Sequence, residues 1–272
     1  MLLSREIRFA LVPPDRVPVG KPANSWAGWP SSNLVVPNLV LRCVIEGTPD
    51  PVTGYLCNIK IIDELLRKVI MRHLVGMQTN RESGKLPKPI ASQTAEQMLR
   101  TVFREVDAAW DSDAKLVELN LALSPFLSYS VYARDSSMIH LTQQFEFSAA
   151  HRLHCNELSD EANRELFGKC NNLEGHGHNY VIEVTLSNEV DSDRGQVIAL
   201  ERFESTVKRL IIDRLDHKHL NRDTEYFSKT NPSVENIAIA IYGWLDGQFE
   251  NAKLERVKVF ETPKTWAEFC GE

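Results

Sequence analysis

The sequence predicts an α+β protein of two tandem domains, residues 1–138 and 139–272, each an antiparallel sheet with two helices packed on one face. Three observations carry that prediction. The chain, at 272 residues, exceeds the usual size of one domain. It also repeats itself at a distance of about 140 residues. Val52–Gly76 aligns with Asp193–His217, placing Gly54 on Gly195; Thr94–Gln97 aligns with Ser233–Asn236, and Lys115–Pro125 with Lys253–Pro263. Finally, the apolar period of each copy reads strand, strand, helix, helix, strand, strand.

In order, the chain opens with a short apolar run interrupted by Arg5, Glu6 and Arg8, which does not fit a signal peptide. Pro13 to Pro37, rich in Pro, Gly, Ser and Asn and holding Trp26 and Trp29, reads as a long loop. The first helix of this copy carries Ile62, Leu65, Leu66, Val69, Ile70 and Leu74. Its counterpart carries Leu200, Phe203, Val207, Leu210, Ile211 and Leu215. Both stripes have helical spacing with charges opposite, so they read as core rather than as a cofactor box. The second helices begin at Thr94, with Gln97 three residues on in a capping-box pattern, and at Ser233 after Pro232. The closing strand of the last copy sets Val257, Val259 and Glu261 on one face, and a carboxylate on an apolar face needs a partner.

The composition is that of an ordinary globular protein, 43% apolar and 25% charged, with a formal net charge of −6. This mild acidic excess makes no electrostatic case for nucleic acid or an anionic membrane. No segment is long and apolar enough to span a bilayer. Five cysteines, an odd number without framework spacing, suit reduced thiols and a cytoplasmic location.

One stretch departs from this pattern. His151 closes an alternating run, Gln143–His151, and His176 and His178 enter another that continues from Asn179 to Leu186. Residues i and i+2 of a strand share a face, so both imidazoles of the pair reach one ion, and a neighbouring strand supplies His151. Three histidines without a fourth protein ligand suit a zinc ion that keeps one position open for water or substrate. His154, three residues from His151 on a strand, points to the opposite face and is not a candidate. Cys170 lies between these histidines, after an excursion from Cys155 to Gly168 that reads as flexible and as shaping the pocket. Asp216, His217 and His219 follow in LDHKHL; if that segment is extended, the two histidines share a face and spacing does not choose between them.

The segments FSAAHR, LFGKCNNLEGHGHNY, LDHKHL, SVENIA and VKVFET, in this order over residues 143–272, resemble the 6-pyruvoyltetrahydropterin synthase family. The resemblance implies zinc held by His151, His176 and His178, Cys170 as the proton-abstracting thiol with Asp216 and His217 as its partner dyad, and Glu261 gripping the pterin ring. Glu235, beside the second helix start, is a weaker pterin contact. It further implies a lyase that converts 7,8-dihydroneopterin triphosphate to 6-pyruvoyltetrahydropterin and triphosphate. The implied architecture is the tunnelling fold, with active sites at subunit interfaces. Five residues separate Cys170 from His176, which favours this branch over the similar 6-carboxytetrahydropterin synthases of deazapurine synthesis, where the spacing is shorter. Two further rivals are a zinc hydrolase, which needs no thiol, and a non-catalytic zinc- or pterin-binding protein.

The first copy loses these positions. The repeat sets Pro13 opposite His151, Val35 opposite His176, Pro37 opposite His178, Val75 and Gly76 opposite Asp216 and His217, and Leu123 opposite Glu261. It reads as a scaffold copy without a site that covers sheet edges of the live one, giving six such domains in a homotrimer or larger self-assembly.

Overall fold

The computed structural model describes residues 1–12, 28–30, 32–82, 94–190 and 195–271, with backbone only for 74–82. Most of the Pro13–Pro37 stretch, including Pro13 and Trp26, lies outside the described residues, as do the side chains of Leu74 and Val75 and the surroundings of Gly76. Contacts divide the chain into two units: Met1–Leu141 with Glu189–Val197, and Thr142–Asn188 with Ile198–Glu272.

In the first unit β1 (Leu2–Ala10), β2 (Asn38–Glu46), β3 (Lys115–Ser124) and β4 (Leu127–Tyr132) pair antiparallel in that order. Between β2 and β3 come α1 (Ile59–Glu82) and α2 (Ala95–Ala108). Alternation puts Leu39, Leu41, Cys43 and Ile45 of β2 and Leu119 and Leu121 of β3 into the core, and a register shift opposite Val44 and Ile45 brings Leu116 in with them. The helices bury Ile62, Leu66, Val69 and Ile70, and Leu99, Val102, Phe103 and Val106, as their stripes require. Thr94 caps α2 in a full capping box with Gln97, a device worth about 1 kcal/mol. β5 (Asp135–His151) begins in this unit and ends in the next.

The second unit continues β5 with α3 (Asp160–Phe167), a 3-10 turn at Gly168–Asn171, and β6 (His176–Glu189). Next come α4 (Leu200–Val207), a π segment (Lys208–Ile212) and α5 (Asp213–Leu215). β7 (Lys218–His219), α6 (Leu220–Asp223), α7 (Val234–Leu245), β8 (Lys253–Thr262) and β9 (Thr265–Phe269) complete it. The sheet order is β5-β6-β8-β9, and β7 adds a short parallel pairing to Ala149 and Ala150 of β5. Ser233 caps α7 by accepting from the Asn236 amide.

Two features depart from the sequence reading. The excursion Cys155–Gly168 is not simply flexible: Ser159 caps α3, and Asn163, fully buried, ties the Cys155 amide and the Cys155, Leu158 and Ser159 carbonyls together. The helix after β6 is not uniformly α either. Phe203, Val207, Ile211 and Leu215 are all buried and four apart; each such step drifts by roughly 40° on an α-helix, and the π segment takes up that drift.

The two units share their irregularities. β2–β3 shifts register between Val44 and Ile45, and β6–β8 between Thr185 and Leu186. The β3–β4 hairpin shifts between Ala122 and Ser124, and the β8–β9 hairpin between Phe260 and Thr262. These are the positions that the sequence repeat aligns. Leu123 and Glu261 are therefore the extra residues of equivalent bulges.

Candidate active site

Three strand ends converge in the second unit. β5 delivers His151, fully buried; β6 begins with His176 and His178; the bulge of β8 delivers Glu261. One ligand atom from each of these four residues lies within 4.8 Å of all the others. His151 Nε2 is 3.1 Å from His176 Nε2, and Glu261 Oε1 is 3.3 Å from His151 Nε2 and 3.5 Å from His178 Nε2. A tetrahedral ion with metal–nitrogen bonds of 2.0–2.1 Å holds its nitrogens roughly 3.3 Å apart, so the cluster has the dimensions of such a site.

Burial also favours the neutral form of two of these imidazoles, His151 and His176. His151 Nδ1 lies 2.7 Å from the Pro232 carbonyl, to which it donates, leaving Nε2 as a lone-pair ligand. Burial pushes the His151 pKa down to about 4, against the pull of that carbonyl, and the other histidines lower it further. Burial and His178 depress His176 as well. Imidazoles crowded together without hydrogen-bond partners on His178 Nε2 or His176 Nδ1 fit a cation-binding centre. Gly175, at φ 75°, lets the chain enter β6 beside His151: a Cβ there would lie 2.7 Å from the His151 carbonyl oxygen and 2.8 Å from His219 Nε2.

Glu261 stands closer to the histidines than a three-histidine reading anticipates, because the bulge turns its side chain toward them. It is available either as a fourth ligand or as an anchor for a substrate ring.

Cys170 sits half-buried in the 3-10 turn. Its carbonyl accepts from the Leu153 amide at 2.8 Å, and the Asn171 side chain donates to the Leu153 carbonyl at 2.7 Å. Arg152 donates to the Asn171 carbonyl and side-chain oxygens, and both residues reach His154 Nδ1. His154 thus serves this scaffold and stays out of the metal cluster. Cys170 and His176 line a cleft of about 810 Å³ that also exposes Arg152, Arg164 and Lys169.

Asp216 and His217 form a dyad, Oδ2 to Nδ1 at 2.8 Å, and Asp216 Oδ1 accepts from the Ser148 amide. That amide, then His217, holds the Asp216 carboxyl below its ordinary range. His217 has a left-handed φ of 56°, which breaks the extended chain. Its ring is exposed, whereas the ring nitrogens of His219 are buried. His217 lines a second hollow, of about 520 Å³, together with His178, Lys218 and His219. Thiol and dyad of one chain therefore open onto different hollows on either side of the histidines. Glu235 is exposed on the first turn of α7.

Sequence reasoning passed over Arg152, Asn163, Arg164 and Asn171. Only their place in the excursion, where polar residues replace the strand pattern, marks them.

The half of the chain that carries this cluster resembles known proteins. A profile of the family described as 6-pyruvoyl tetrahydropterin synthase matches residues 140–272. The 6-pyruvoyl tetrahydrobiopterin synthase of Drosophila melanogaster is 42% identical over 132 residues, 48% of this chain and 79% of that protein. The protein of the same name from Homo sapiens is 40% identical over 132 residues, 48% of this chain and 91% of that one. The solved structure of Caenorhabditis elegans 6-pyruvoyl tetrahydropterin synthase shares 40% identity with a TM-score of 0.48, covering 50% of this chain and 96% of that one.

Proposed function

The chain belongs to the 6-pyruvoyl tetrahydropterin synthase family, its C-terminal half carrying the family's lyase domain, and on that footing we propose that it converts 7,8-dihydroneopterin triphosphate to 6-pyruvoyltetrahydropterin with release of triphosphate. The observation that carries this reading is the meeting of three histidines and a carboxylate at one point, with a free thiol on the wall of the adjoining cleft.

In this proposal His151, His176 and His178 hold zinc, as their lone pairs and spacing suit. When bound, the ion supplies a Lewis acid that stabilises negative charge on the side-chain oxygens of the substrate. Glu261 accepts hydrogen bonds from the amino group and ring N–H of the pterin, a bidentate match for its two oxygens. Glu235 is at most an outer contact. Cys170 removes the carbon-bound side-chain proton, and His217, oriented by Asp216, relays it. Since thiol and dyad of one chain line different hollows, the dyad that serves Cys170 comes from a neighbouring copy, as interfacial sites require.

The two units, with their matching bulges, support a tandem tunnelling fold in which residues 1–138 are a domain without metal or catalytic residues and 139–272 the catalytic one. A homotrimer of six such domains follows, and light scattering reporting a monomer removes it. No helix among the described residues is long and apolar enough to cross a membrane, and the odd set of free cysteines suits the cytoplasm.

Product analysis tests the activity. Zinc-loaded protein is incubated anaerobically with dihydroneopterin triphosphate and the products separated by chromatography and mass spectrometry. A 6-pyruvoyl product with triphosphate is expected. A 6-carboxy product with acetaldehyde moves the chain to the rival branch, which the Cys170 to His176 spacing disfavours, and tight pterin binding without turnover leaves a binding protein.

A further inference from the structure

At one place on their helices the two copies differ by a charge. The repeat, continued along those helices, sets Arg214 opposite His73 and Trp244 opposite Glu105. In the first unit Glu105 of α2 pairs with α1, its carboxylate oxygens lying 3.0 Å from His73 Nε2 and 3.3 Å from Arg72 Nη2. In the second unit that acid is absent, and the Arg214 guanidinium lies over the Trp244 ring, 4.6 Å from its centroid. It forms no ion pair or hydrogen bond among the described residues. Stacking on the indole holds the guanidinium in place and leaves its N–H edge and its outer face open.

We propose that Arg214, Trp244 and Tyr226 form a binding site for a small aromatic carboxylate. Arg214 and Trp244 line a hollow of about 670 Å³ together with Asp223, Glu225, Tyr226 and Lys229, a volume usual for a small-molecule site. Tyr226 stands edge-on to Trp244, ring centroids 5.6 Å apart, and is itself exposed, so the hollow joins an aromatic wall to an unpaired cation. The N–H fork takes a carboxylate in two parallel bonds, while the ring of the ligand lies against Tyr226 or the open face of the guanidinium. The remaining charges select against a polyanion. Lys229 pairs with Glu225 at 3.7 Å, and Asp223, which accepts from the His219 amide at 2.7 Å, adds a second carboxylate to the hollow, so Arg214 is the one cation left without an acid. Arg214 also lies two residues past the π segment, an irregularity frequent at functional sites.

The test is fluorine NMR titration of the intact, zinc-loaded protein with para-fluorobenzoate. Two further probes run beside it: para-fluorobenzylamine, which exchanges the carboxylate for an ammonium, and trifluoroacetate, which lacks the ring. Saturable binding of para-fluorobenzoate is expected, and Arg214→Gln should weaken it about tenfold, as loss of a charged hydrogen-bonding partner does. Trp244→Glu, which gives this place the residue of the first unit, should weaken it as much by pairing the guanidinium. Melting temperatures establish that both variants are folded; if Trp244→Glu is not, Arg214→Gln, a change at an exposed side chain, decides alone. Absence of saturable binding overturns the proposal, and so does equal binding in the unaltered protein and Arg214→Gln, which reports carboxylate held at the histidines instead. Binding of either further probe as tightly as para-fluorobenzoate, and with the same dependence on Arg214, overturns the aromatic carboxylate as the ligand.

Discussion

The two units carry the same bulge at the same place and use it for different ends. In the second, Glu261 occupies it and sets a carboxylate beside three histidines; in the first, Leu123 occupies it with a half-buried apolar side chain. Val35 and Pro37, opposite His176 and His178, are exposed and offer no ligand, and the described residues show no metal-binding cluster outside the second unit. Polar ties between strand and helix persist in both. Arg5 of β1 grips Asp63 of α1 with two bonds of 2.7 and 2.6 Å, and Gln143 of β5 reaches Glu204 of α4 at 2.6 Å. The difference teaches that backbone irregularity belongs to the fold, whereas chemistry belongs to the few side chains placed on it.

The largest test of that separation is Cys170→Ala. Loss of a general base should lower turnover by about 10²–10⁴-fold, with zinc stoichiometry by atomic absorption unchanged. Retained turnover removes the thiol from the mechanism. Nearly as decisive is mixing. Cys170→Ala and His217→Ala, each inactive alone, should recover roughly a quarter of the activity when refolded together in equal amounts, because one site in four then draws an intact thiol and an intact dyad from different copies. No recovery would place the dyad in the same chain as its thiol.

The next test makes the second unit resemble the first at one residue. Glu261→Leu should lower kcat/KM by roughly 10–100-fold, the loss of a hydrogen bond to a charged group worth about 1.5–3 kcal/mol, while zinc affinity holds. If zinc affinity falls instead, Glu261 is a ligand. The reverse change, Leu123→Glu, should confer no zinc binding, since the carboxylate would find no histidines.

What the sequence could and could not announce follows from the same division. Period and caps were readable because they are local: the stripe through Leu66 and Val69, the box at Thr94 and Gln97, and the strand that carries His176 and His178 all depend on near neighbours. The aim of Glu261 was half readable. Alternation put it on the face of Val257 and Val259, but the bulge that turns it toward the histidines depends on the partner strand. The choice between His217 and His219 was not readable, because it turns on one left-handed φ. Nor was the order in the excursion, which a single buried side chain, Asn163, organises through contacts that no periodicity encodes.

The smallest effect expected concerns two glutamates that the repeat sets opposite each other. Glu235 is exposed at the start of α7, whereas Glu96, at the start of α2, is buried and accepts weakly from the Val197 amide, with Tyr129 and Thr94 beside it. Burial raises the pKa of Glu96, and its hydrogen bonds only partly offset that. A carboxyl whose pKa is higher folded than unfolded favours the folded state at low pH; the benefit is complete below the unfolded value, near 4.3 for glutamate, and is lost as pH rises through the folded value. The urea midpoint of the protein should therefore carry a downward slope with pH just above the ordinary glutamate range. Glu96→Gln should remove that slope, and Glu235→Gln should leave it. Equal slopes in both variants would mean that burial at Glu96 is fully compensated by its hydrogen bonds, and that the first unit holds its carboxylate at no greater cost than the second holds one in water.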